Sequence, residues 1–258
     1  MSESTAVVSW ADKLAKYAAA QANTERSAGG ESGNMLKIKG LKFWQGEQQL
    51  GDSFTCVILD ALHVNEFYDR PFDPDNPASP ICYAFGRGKE GEVMAPHADA
   101  EQSQCDQCKG CPQDKFPPRE GSKQPPKPCK NVRRVSLLAV TPQNFTAEAI
   151  DEAEMAFLKI SVTNVTKRWA PFYNTLTAQG FPTWAHVCKI SVEYDEKSQY
   201  KLKFEILGRL DPSKGDLLDA LEARFNEAQK AIEFPYRANS SSSEEFAAER
   251  EAKRSRVK

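Results

Sequence analysis

Three cysteines fall within seven positions in "CDQCKGCPQDKF", as Cys105, Cys108 and Cys111, and Cys129 follows the stretch "PPREGSKQPPKP". This cluster constrains the chain more than any other feature. A loop made of Pro, Lys and Gly has little apolar surface to bury. It keeps one shape only if something staples it, and staple energy is then folding energy. Disulfides, an iron–sulfur cluster and zinc are the candidates.

The chain holds seven cysteines, an odd number. Its first residues include Glu3 and Asp12 and no long apolar run, so no export signal is expected and a disulfide framework is the weaker reading. No stretch approaches the about 18 apolar residues of a membrane helix. "CKGC" is a zinc knuckle by its spacing, because two intervening residues bring two thiolates to one ion. The preferred ligands are Cys82, Cys108, Cys111 and Cys129. Cys82 and Cys129 come from the stretches that enter and leave the loop. Cys105 is then spare; Cys105, Cys108, Cys111 and Cys129 form an alternative set, and His97 in "MAPH" is also available. The run C-x2-C-x2-C-P partly matches a ferredoxin pattern, but the fourth Cys three residues on is missing. Zn2+ is therefore preferred over iron–sulfur. Cys56 and Cys188 sit in apolar strand patterns and read as buried, inert thiols.

Around the cluster the chain reads as mainly β with flanking helices. "MLKIKGLKFW" alternates polar and apolar residues. "SFTCVILDALHV", "PICYAFG", "NVRRVSLLAVTP" and "MAFLKISVT" are β-prone, and "WAHVCKISVEYD" with "QYKLKFEIL" flanks a "DEKS" turn. "VTKRWAPFYNTLTAQG" reads as a helix with Trp169, Phe172 and Tyr173 as its core stripe. Residues 211–234 read as an amphipathic helix with Leu217, Leu218, Leu221, Phe225 and Ile232 on one side and Asp211 as its cap. The expected organisation is an N-terminal helical arm and flexible linker over 1–34, a core over 35–235 with the Cys-rich insert at about 94–130, and a mobile tail over 236–258. An α+β domain with an OB-fold-like Greek-key barrel and a zinc-stapled loop fits this order of short strands.

The net charge is -2, so attraction to nucleic acid must be local. From Cys105 to Arg134 eight cations stand against three carboxylates. Such a patch suits phosphates. Lys42, Arg87, Lys130, Arg133 and Arg134 are the candidates to meet them, and Trp44, Tyr83 and Phe85 are the candidates to stack bases. "FYDRPFDPDNP" gathers Asp69, Asp73 and Asp75, but this is turn chemistry. No phosphate loop, HExxH motif or nucleophile elbow is present, so an enzyme is not expected.

"FDPDNPASPICYAFGR", "MAPH", "CKGCPQDKF" and "CKNVRRVSLLAV" occur in that order. With them the chain resembles single-stranded DNA-binding proteins of tailed bacteriophages, of the zinc-containing, helix-destabilising type. The resemblance covers about residues 35–235. It implies an OB-fold, a structural zinc and cooperative coating of strands during phage DNA replication and recombination in the host cytoplasm. Polymerase or helicase and neighbouring copies of the chain are the implied partners. On the match, Cys108 and Cys111 are ligands and Cys105 is an additional thiol. The C-terminal end departs from the pattern, because Glu244, Glu245, Glu249 and Glu251 are followed by the basic "KRSRVK". An iron–sulfur nuclease or recombinase subunit and a zinc-stapled protein-interaction module are the alternatives.

Overall fold

The structure is a computed structural model and describes residues 34–71, 78–119, 121, 124–141, 145–211 and 213–236. The expected arm over 1–34, save Asn34, and the expected tail over 236–258, save Tyr236, lie outside the described residues, as do Asp73 and Asp75.

Three short strands come first: β1 (Leu36–Lys39), β2 (Lys42–Gln45) and β3 (Gln48–Gly51). The alternating stretch "MLKIKGLKFW" is a hairpin rather than a continuous strand. Gly40 and Leu41 both take positive φ, at 56° and 59°, and Lys39 pairs with Lys42 across them. Two successive left-handed residues give the tight turn whose twist matches that of the strands.

The larger sheet follows. Its strands are β4 (Ser53–Phe67), β5 (Cys82–Gly86), β6 (Lys130–Ala139), β7 (Met155–Ile160), β8 (His186–Asp195) and β9 (Gln199–Arg209). Helix α1 (Ala147–Glu152) precedes β7. Helix α2 (Val162–Asn164), a π turn (Val165–Trp169) and helix α3 (Ala170–Thr177) follow it, and α4 (Gly215–Ala231) comes after β9. The order is β7-β6-β4-β8-β9, all antiparallel, with β5 also on β4. Strand β4 is 15 residues long. One of its edges takes β8 at Ser53–Val57 and then β5 at His63–Phe67, while β6 lines the other. Among the described residues no pairing joins β7 to β9, so the strand path is open.

Each face of this sheet has its own core. A bulge between Ile58 and Asp60 shifts the alternation of β4. Val57 before it, Leu59 within it, and Leu62 and Val64 after it all face the core covered by α1 and α4. Cys56 and Ile58 face the other core, with Phe43 of the small sheet and Trp169, Phe172 and Leu176 of the helical segment. An extra residue on one strand does this because the side-chain period is two. The aromatic stripe is core, as expected: Trp169 and Phe172 pack on Phe204 at 5.4 and 5.3 Å between ring centres. The final helix starts at Gly215, not at Asp211, whose carboxylate accepts from Ser213 N at 2.9 Å and closes a turn. Helix α1 went unread in the sequence. Its one signal is Thr146, whose hydroxyl accepts from Ala149 N at 3.3 Å as a cap.

Candidate metal centre and basic surface

The Cys-rich loop leaves β5 and returns to β6 across the end of the sheet. Its backbone is tied down at spaced points: His97 N donates to Tyr83 O at 2.7 Å, Gln102 N to Ile81 O at 2.8 Å and Cys108 N to Met94 O at 2.8 Å. Gly86 makes room for the loop, since a Cβ there would stand 2.5 Å from Met94 Cγ. The knuckle turns at Gly110, φ 87°, and Cys111 N donates to Cys108 O at 3.1 Å. A 3-10 turn, Pro112–Asp114, follows, and Cys129 N donates back to Gln113 O at 2.8 Å.

These ties bring five thiols together. Cys82, Cys105, Cys108, Cys111 and Cys129 line one small cavity with Asn65 and Asp114. Its open space is about 10 Å³, the size of one water-sized sphere. Among the described residues, no three His, Cys, Asp or Glu side chains are already set as a metal site. Burial first, then the contact with Cys111, pushes the Cys105 thiol up to about 12. Burial and Asp114 push Cys129 up to about 12 as well. Burial also raises Cys82 and Cys108, while the Asn65 side chain hydrogen-bonds to Cys108 and favours its thiolate. Such crowded thiols stay neutral, and a dication among them reverses that preference. The donor set therefore fits a soft, thiolate-binding ion. The spare Cys105 of the sequence reading lies at the same cavity as the other four. His97 does not line it: its ring stacks on Tyr83 at 5.1 Å, and its Nδ1 accepts from Asp99 N at 3.1 Å.

A polar layer supports the cavity. Asn131 Nδ2 donates to Asn65 Oδ1 at 2.7 Å and to Asp114 Oδ1 at 3.1 Å, and Lys127 Nζ stands 3.2 Å from Asp114. Neither asparagine stood out in the sequence, because their partners are 17 to 66 positions away. Cys56 and Cys188 are a separate pair, opposite one another on β4 and β8 and fully buried, as expected.

The expected DNA-contacting residues divide by strand parity. Arg133 and Arg134 are neighbours on β6 and so point to opposite faces. Arg134 is 2% exposed. Its Nη1 donates to Ile232 O at 3.0 Å and Phe234 O at 2.7 Å, and Phe85, Phe234 and Tyr236 surround its guanidinium. Tyr83 is also 2% exposed, edge-on to Tyr236 at 4.9 Å. Neither can meet a strand from there, which corrects the expectation for both. Arg87 is neutralised by Asp60 and by Glu233, the latter at 3.0 Å, and it donates to Gln229 O at 2.9 Å. That too corrects its assignment to phosphate.

The other five stay within reach. Lys42 is exposed, Phe85 and Trp44 are half-buried, and Trp44 Nε1 is buried without a partner. Exposed Lys130 lies over the half-buried Tyr68 ring at 5.0 Å, and Lys159 lies 5.8 Å from the same ring. Arg133 is half-buried, and its Nη1 donates to Val132 O at 2.9 Å. Tyr68, and the fully buried Glu66 that accepts from its hydroxyl at 3.1 Å, were missed in the sequence. Glu66 also accepts from Tyr236 OH and stands 2.6 Å from Lys159 Nζ.

No described helix is long and apolar enough to cross a membrane. Compared with protein-family models, curated proteins and solved structures, the chain matches none.

Proposed function

We propose that this chain binds single-stranded DNA without sequence preference and that zinc staples its Cys-rich loop. The observation that carries the reading is the surface where β6 leaves that loop. Lys130 covers the Tyr68 ring there, with Lys159 beside it held by Glu66 at 2.6 Å, and Arg133 emerges on the other face. Cations beside an accessible ring are the elements from which non-specific single-strand binders are made: charge for the backbone, a π-face for bases.

In this reading the OB-like barrel is the fold type, and the strands β4, β5 and β6 carry the binding face. Four of the five clustered thiolates would hold the ion, with Cys82, Cys108, Cys111 and Cys129 the first choice. Zinc would supply only a closed structural site there. The cavity has the scale of one ion, which favours zinc over an iron–sulfur cluster. Coating of strands in the cytoplasm of a phage-infected host, contact between neighbouring copies and contact with polymerase or helicase complete the proposal.

A second reading is supported by Phe116, which lies on the loop at 61% exposure with Lys127 5.3 Å from its ring. It makes the loop a protein-docking module. Fluorescence anisotropy with matched single- and double-stranded oligonucleotides separates the two. The proposal expects tighter single-strand binding that weakens steeply with salt. Equal affinity for both forms, or none for either, leaves the docking module.

A further inference from the structure

We infer that His63 and Arg133 form a binding subsite for a phosphate group, on the sheet face opposite Arg134. It deepens the proposed function and rests on that reading for the source of the phosphate, a DNA backbone.

The two residues are direct partners across β4 and β6. On its other side Arg133 is flanked by Ile160 of β7, which is buried and apolar. Arg133 is thus a cation held partly out of water. Burial holds its guanidinium below the usual value, and among the described residues no carboxylate forms an ion pair with it. Arg133 has one carbonyl partner, Val132 O at 2.9 Å, and the other substantially hidden arginines have more. Arg87 has Asp60 and Glu233, Arg134 has two carbonyls and three rings, and Arg224 has Glu227 and the Ala153 carbonyl. Half-burying a cation without a counter-charge is unfavourable, and binding sites are where such costs are kept.

The surroundings hold His63 in place. Gly88 has φ 67°, and a Cβ there would lie 3.0 Å from His63 Cε1. The loop backbone therefore packs directly on the imidazole. Glu92 is an acidic group that acts on His63, but its carboxylate accepts from Arg87 N at 2.7 Å and Lys89 N at 3.2 Å. It closes the loop rather than pairing with Arg133. With Nη1 already donating to Val132 O at 2.9 Å, the remaining guanidinium donors of Arg133 stand across the strand pair from the His63 imidazole. That is a geometry for two oxygens of a tetrahedral anion.

Two measurements test this on the full-length protein. In the first, His63 ring resonances are followed by NMR as inorganic phosphate is added. The subsite expects a saturable shift that Arg133→Gln abolishes; no saturable shift, or one unchanged in Arg133→Gln, overturns it. In the second, anisotropy is read against salt with a single-stranded oligonucleotide. Arg133→Gln and His63→Gln should each weaken binding about tenfold, and Arg133→Gln should flatten the logarithmic salt slope by about 0.7. Arg133→Lys should keep the slope while losing affinity, since it keeps the charge and loses the fork. Thermal melting of each variant separates a folding defect from these effects. If the native protein takes phosphate but no oligonucleotide, the subsite stands and the DNA reading fails. If it binds oligonucleotide and these variants bind equally well, the DNA reading stands and the subsite is overturned.

Discussion

The guanidinium of Arg134 lies 3.9 Å from the centre of the Phe234 ring and donates to that same residue's carbonyl at 2.7 Å. One residue of the chain after α4 thus supplies both a π-face and an acceptor to a cation on β6. With Ile232 O and Tyr236, it clamps the end of the described chain onto the sheet. The clamp covers the face that Tyr83 and Arg134 share.

Arg134→Ala should therefore act on stability and not on nucleic acid. It removes a buried cation and leaves two carbonyls with one partner fewer, a loss of about 3 kcal/mol. Urea unfolding should show the loss, while the salt slope for an oligonucleotide stays as in the native protein. A flattened slope with unchanged stability would return Arg134 to the binding surface.

The metal prediction concerns which thiols matter. The purified protein should be colourless and carry about one zinc per chain, by metal analysis and absorbance. Cys108→Ser and Cys111→Ser should lose the zinc and loosen the loop, seen as faster proteolysis between Gly88 and Cys129. Cys105→Ser should keep it. Zinc loss from Cys105→Ser would replace Cys129 or Cys82 in the ligand set, and a brown protein would exclude the zinc reading altogether.

Gly88→Ala tests how tightly the loop lies on His63. The new Cβ meets both a positive φ and the imidazole. A loss of about 1–3 kcal/mol is expected. In the His63→Ala background the contact disappears but the φ penalty remains, so the cost of Gly88→Ala should shrink without vanishing. An equal cost in both backgrounds would show that the ring is not what Gly88 accommodates.

Alkaline pH should destabilise the fold through a pair of thiols away from the cavity. Burial pushes Cys188 up to about 12 and raises Cys56 well above its ordinary value of 9.0. Below pH 9.0 both are neutral, folded or unfolded, and their contribution is fully present. Above it the unfolded chain releases protons that the folded chain retains, so stability falls as pH rises toward about 12. Urea midpoints across that window should drop, and Cys188→Ala should flatten the drop. A midpoint independent of pH there would show that these thiols ionise in place.

Much of this was legible in the residues themselves. Period-two runs of Val, Ile and Leu, a 3.6-residue stripe ending at Ile232, and CxxC spacing report local geometry, and local geometry is written in neighbours. So the mainly β class, the aromatic stripe at Trp169 and the burial of Cys56 and Cys188 all read correctly. The tertiary structure decided what depends on distant partners. A bulge at Ile58–Asp60 sets which residues of β4 share a face, and no residue near it announces the bulge. Strand pairing joins His63 to Arg133 and sends Arg134 beneath Phe234, 100 positions away. Adjacent residues on a strand face opposite sides, so two equal charges in "VRRV" meet different environments: one is buried under aromatic rings, the other half-open beside an imidazole. Composition counts both as cations, and only the packing of the sheet says which of them reaches solvent.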